Sequence, residues 1–203
     1  GSMLASMYET WRKTDPLGEI WCLPLHNTEG SIAQGVLTLT GTATESGVLN
    51  LYVGGVRVQA AIVNGATAAQ AATALALKIN AAADLPLTAA AAEGVVTLSA
   101  KWTGASGNDI SLQFNRLGKS NSEDTPAGLT TAITAMAGGA GVPDQTAAVA
   151  ALGDEPFEFI AMPWSDLASL NTWQAVMDDS TGRWSWAKQL FGHVYSAKRG
   201  TIG

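Results

Sequence analysis

Between residues 1 and 203 the pattern of the chain changes twice, and the second change undoes the first. Short helical and strand-like runs alternate to about residue 33, and a β-rich stretch fills 36–137. After the glycine-rich run Ala137-Gly138-Gly139-Ala140-Gly141-Val142-Pro143 the alternation returns over 144–203. Two ends with one grammar around a middle with another read as a single layer interrupted by a guest module. Such insertions are tolerated where the termini of host and guest lie close together. The expected fold class is therefore α/β plus α+β. Both ends of the chain form a parallel α/β layer, interrupted by an inserted β-rich domain with one packed helix. The expected division is 1–33 with 144–203 as a discontinuous α/β domain, 36–137 as the insert, and 138–143 as a connector.

At the N-terminal end, Met3, Leu4, Met7 and Trp11 recur at helical spacing, Ser2 is a candidate N-cap and Pro16 ends the run. Ile20-Trp21-Cys22-Leu23-Pro24-Leu25 is apolar without alternation, the pattern of a strand buried on both faces. In the middle, strand-like runs are expected at 36–43, 48–53, 56–62, 87–91, 95–100, 110–115 and 129–136. Gly54-Gly55 marks a hairpin, since glycine supplies the positive φ angles of a tight turn. Thr67-Ala68-Ala69-Gln70 has the form of a capping box opening a helix to about Ala82. Beyond the connector, Asp144 heads a helix stopped by Gly153, and Phe157–Met162 is a strand. Ser165 or Asp166 caps a helix to about Met177, and Leu190–Ser196 is a further strand.

Composition excludes several classes of function. Hydrophobic residues make up 47% of the chain and charged residues 14%, the reverse of a disordered polymer. A net charge of −6 argues against binding nucleic acid through its phosphates. No apolar run is long enough to insert into a membrane. The low charge makes the surface easier to desolvate against a partner, which favours assembly.

The signals for chemistry are weak. His26 and His193, the only histidines, lack metal-ligand spacing, and neither metal nor cofactor is expected. Cys22 sits in an apolar run and reads as a small buried hydrophobe rather than a nucleophile. No G-x-S-x-G elbow is present, and the glycines at 138–141 lack the Lys-Ser/Thr of a phosphate loop. Asp154, Glu155 and Glu158 read as a solvated loop. No catalytic residue is assigned.

Of the seven tryptophans, Trp184 and Trp186 alternate with small polar residues in Thr181-Gly182-Arg183-Trp184-Ser185-Trp186 and are hard to bury together. Aromatic anchors are enriched at interfaces. Lys198 and Arg199 add late positive charge to a segment whose acids lie early, a polarity suited to contact between identical copies. Trp184, Trp186, Lys198 and Arg199 are the candidate interaction residues.

An ordered set of short motifs resembles the Mu-type contractile phage tail sheath proteins. It comprises Gly1-Ser2-Met3-Leu4 with Met7, Asp15-Pro16, Glu19–Leu25, Leu51–Val58 and Gly107-Asn108-Asp109-Ile110. Ala135–Asp144, Gly192-His193-Val194-Tyr195 and Arg199-Gly200-Thr201 complete it. The resemblance implies a non-enzymatic structural subunit that stacks as hexameric rings around a tail tube protein, between baseplate and tail terminator. Contraction then drives the tube through a host envelope. It implies a virion tail location, with assembly in the host cytoplasm, and neither direct nucleic-acid contact nor membrane insertion. It also implies an interior fragment lacking the interlocking terminal arms, expected to be monomeric alone. The alternatives are a carbohydrate- or surface-binding module of a virion, for which Tyr52, Trp102 and Phe114 are few aromatics, and an α/β hydrolase-like enzyme, for which no nucleophile is recognisable.

Overall fold

A computed structural model describes residues 2–25 and 29–198. The fold is mixed α/β, with four α-helices and nine strands in three sheets among the described residues. The chain divides into two compact units, Gly1–Cys22 with Glu29–Gly141 and Leu23–Thr28 with Val142–Gly203.

In the larger unit, α1 (Met3–Thr14) is capped by Ser2, whose side chain accepts from the Ala5 N–H. Seven strands follow: β1 (Ile32–Gly41), β2 (Gly47–Val53), β3 (Val56–Ile62), β4 (Leu87–Ala92), β5 (Val95–Thr103), β6 (Leu112–Phe114) and β7 (Leu129–Ala137). They form two antiparallel sheets, ordered β4-β5-β1-β7 and β3-β2-β6. Val53 pairs with Val56 across Gly54 and Gly55, both at positive φ, which is the two-residue hairpin turn their sequence calls for. Between β3 and β4 runs α2 (Ala68–Ala81). Thr67 and Gln70 close the reciprocal capping box, and Ala71, Ala72, Leu75, Ala76 and Ile79 are buried. These residues meet Leu37, Leu51 and Leu98 from the strands in one core. Asn80 also clamps the edge of β4. Its amide donates to the Ala89 carbonyl at 2.8 Å and accepts from the Ala89 N–H at 2.9 Å, standing in for a neighbouring strand.

Among the described residues of this unit, one carboxylate is buried. Glu123, 2% exposed, accepts from the Tyr52 hydroxyl at 2.5 Å, the Leu117 N–H at 2.9 Å and the Arg57 guanidinium at 3.2 Å. Burial pushes its pKa up, but those three donors outweigh burial and hold it below the usual carboxylate value. The same contact raises the Tyr52 hydroxyl, chiefly because its proton is committed to Glu123. The cluster pins the 115–125 loop onto β2 and β3.

The connector expected at 138–143 is not free chain. Ser31 and Ala140 form an antiparallel bridge, and the Ser31 hydroxyl donates to the Gly138 carbonyl at 2.5 Å. Asn108 bonds both polar backbone groups of Gly139 at 2.8 Å. Residues 138–141 are thereby stitched to the larger unit. A Cβ at Gly139 would stand 2.5 Å from the Gly104 carbonyl oxygen, so this close approach requires glycine.

In the smaller unit, α3 (Thr146–Ala150), β8 (Phe159–Met162), α4 (Leu167–Val176) and β9 (His193–Ser196) follow one another. Strands β8 and β9 pair in parallel, with Ile160 opposite Val194. Asp166 caps α4 by accepting from the Ser169 N–H. Gln145 joins the two helices, donating to Ser169 Oγ at 2.6 Å and accepting from Trp173 Nε1 at 2.7 Å, all three residues being buried.

Two expectations are corrected. Ile20–Leu25 is not a strand, and Trp21 is 66% exposed. A strand buried on both faces needs neighbours on each side, and no sheet of the described residues includes this segment. Cys22, expected to be buried within it, is accordingly exposed.

Candidate interaction surface

The tryptophan segment is organised by a buried arginine. Arg183 donates from Nη1 to the Gly153 carbonyl at 2.7 Å and from Nη2 to the Glu155 carbonyl, and its guanidinium lies over the Phe157 ring. Its backbone N–H donates to Val176 and its carbonyl accepts from Leu190. Ser185, also buried, donates its hydroxyl to the Gly182 carbonyl. Arg183 and Ser185 therefore face inward, while Trp184 and Trp186 face outward. Polar in and aromatic out inverts the usual arrangement.

The two tryptophans differ in freedom. Trp184 Nε1 donates to the Gly192 carbonyl at 3.0 Å, and its ring meets His193 edge-on, at 5.7 Å between centroids. Trp186 makes no such contact among the described residues and is 85% exposed. Lys198 is exposed just beyond β9, and Arg199 lies outside the described residues.

Three aromatic residues not singled out in the sequence stand near Trp184 and its partner His193. On β8 and β9, Phe159, Ala161, His193 and Tyr195 share one sheet face, because successive strand residues alternate sides. Phe159 and Tyr195 lie 6.1 Å apart between ring centroids and His193 and Tyr195 lie 6.3 Å apart, while Phe191 is exposed just before β9. The period-two placement of Phe191, His193 and Tyr195 within the expected strand Leu190–Ser196 carries the signal.

The described residues contain no group of three or more His, Cys, Asp or Glu side chains placed to hold a metal ion. No helix among them is long and apolar enough to cross a membrane.

No protein-family model matches the chain. It is 37% identical, over 202 residues and 99% of its length, to the Mu-like prophage FluMu tail sheath protein of Haemophilus influenzae. That match spans 40% of the relative's own length. Along nearly all of its length, then, the chain is similar to a Mu-like phage tail sheath protein, of which it spans about two fifths.

Proposed function

We propose that this chain is part of a contractile tail sheath subunit whose work is mechanical and involves no catalysis. The intact polypeptide polymerises with copies of itself as stacked hexameric rings around a tail tube protein, between baseplate and tail terminator. It assembles in the host cytoplasm and functions in the virion tail. Contraction is a change between two packings of rigid subunits, a transition that suits bodies shifting as wholes. Residues 1–33 and 144–203 bear the lattice, and 36–137 face outward as a separate module. Trp184, Trp186, Lys198 and Arg199 contact a neighbouring copy. The 203-residue chain by itself is monomeric.

The single observation that supports this reading most is the 37% identity along 99% of the chain to a tail sheath protein. The outward indoles, held by buried Arg183, support the lattice role of the 184–186 segment. Electron microscopy of the intact polypeptide is expected to show hollow cylinders of repeating rings. Trp186→Ala should keep the fold, within about 0.5 kcal/mol of the parent as for most surface changes, and lose the cylinders. An intact polypeptide that stays dispersed overturns the sheath reading. Cylinders unaffected by Trp186→Ala overturn the role of that residue.

A further inference from the structure

Of the asparagines in the sequence, Asn64 alone is followed by glycine. The pair forms the middle of a turn between β3 and α2, where the Ala66 N–H donates to the Val63 carbonyl at 3.1 Å. Gly65 has φ +84° while Asn64 keeps a negative φ, the combination of a type II turn. Both residues are exposed, and a Cβ at Gly65 would meet nothing within 4 Å. Glycine stands there for its backbone angle, and it leaves its own nitrogen unshielded. The turn is strapped to residues 42–46. The Gly65 N–H donates to the Ala43 carbonyl at 2.8 Å, and the Ala43 N–H donates to the Ala66 carbonyl at 2.9 Å. The Asn64 N–H donates to Ser46 Oγ at 3.0 Å, and Thr42 and Thr67 form an antiparallel bridge.

We propose that Asn64 is a site of spontaneous deamidation that the fold keeps closed and that opens with this strap. In the reaction the Gly65 nitrogen gives up its proton to solvent and attacks the side-chain carbonyl carbon of Asn64. A C–N bond forms, the bond to the side-chain amide nitrogen breaks, and ammonia leaves with a proton taken from solvent. Water then opens the five-membered imide at either carbonyl, giving aspartate or isoaspartate. Two features of the folded turn oppose the first step. The attacking N–H is committed to Ala43, so the nitrogen is not free to lose its proton. In a type II turn ψ of the second residue is about +120°, which carries the Gly65 nitrogen away from the side chain. Closing the ring requires rotation about the Asn64 Cα–C bond, and that rotation breaks the hydrogen bond to Ala43. Isoaspartate adds a main-chain atom to the turn, so the original set of bonds cannot re-form. The change falls just before Thr67, the cap of α2, and marks a subunit that has opened once. The proposal depends neither on the sheath reading nor on the lattice role of Trp186.

The test compares deamidation with hydrogen exchange in the unsubstituted 203-residue chain at neutral pH. Peptide mapping by mass spectrometry follows conversion at Asn64 in the folded chain and in concentrated urea, while amide exchange at Gly65 reports opening of the strap. Conversion is expected in urea, and it is expected to be slower by about tenfold or more in the folded chain, as for a site reached only by local opening. The retardation should match the protection of the Gly65 amide. Ser46→Ala, an exposed change that removes the acceptor of the Asn64 N–H, is expected to speed both reactions together. Equal conversion in the folded and unfolded chains overturns the gate, and absence of conversion in urea overturns the site. A Ser46→Ala chain in which the two rates do not rise together overturns the role given to the strap.

Discussion

Ser31 and Ala140, 109 positions apart, exchange two backbone hydrogen bonds, Ser31 N to Ala140 O at 3.0 Å and Ala140 N to Ser31 O at 3.3 Å. The pair closes the stretch between them into a loop whose ends leave side by side. That geometry lets a module be spliced into a host without disturbing it. Residues 31–141, expressed alone, are therefore expected to unfold in one cooperative transition by circular dichroism. A broad, non-cooperative melt would show that the module depends on the rest of the chain.

Gly139 is the tightest point of that closure. A methyl group there meets the Gly104 carbonyl oxygen at 2.5 Å and the Ala33 Cβ at 2.9 Å. Gly139→Ala is expected to destabilise the larger unit by about 1–3 kcal/mol, the range for overpacking. Urea denaturation followed by circular dichroism checks this.

Glu123 makes the larger unit sensitive to acid. Its folded pKa lies below its ordinary value of 4.5, so the charged form is stabilised by folding. That contribution is present above pH 4.5 and is lost as the pH falls through the lower folded value. Glu123→Gln is expected to lower the melting temperature at pH 7 and to flatten its fall in acid. Melting curves between neutral and acid pH decide this. A mutant with the parent's acid profile would assign the sensitivity elsewhere.

Gln145 is the polar pin of the smaller unit. Its replacement by alanine leaves the indole N–H of Trp173 buried without its partner. Leaving a buried polar group unsatisfied costs about 1–3 kcal/mol. Faster hydrogen exchange at the Trp173 indole and a lower denaturation midpoint are the expected readouts.

Arg183 positions the tryptophan segment through backbone carbonyls and the Phe157 face. Lysine retains the charge but not the planar fork that reaches two carbonyls at once. Arg183→Lys is expected to loosen residues 181–190, read as raised amide exchange there, and to reduce cylinder formation even though Trp186 itself is untouched.

Local elements were legible in the residues because their causes are local. The capping box at Thr67 and Gln70, the Gly54-Gly55 turn and the Asp166 cap are each decided by atoms within a few positions, and the structure has all three. Burial is decided by partners far along the chain. Ile20–Leu25 has the composition of a buried strand, yet it joins no sheet of the described residues. The run Gly138-Gly139-Ala140-Gly141 has the composition of a connector, and only the structure shows that Ser31 and Asn108 bond to it. Glu123 carries no mark of burial in its own neighbourhood, because Tyr52 and Arg57 reach it from 71 and 66 positions away. Trp184 and Trp186 stood out by their spacing, whereas the Phe159–Tyr195 face exists only once β8 and β9 pair. Periodicity and capping act within a turn or a strand; which surface is then left uncovered follows from long-range pairing, and only the tertiary structure expresses it.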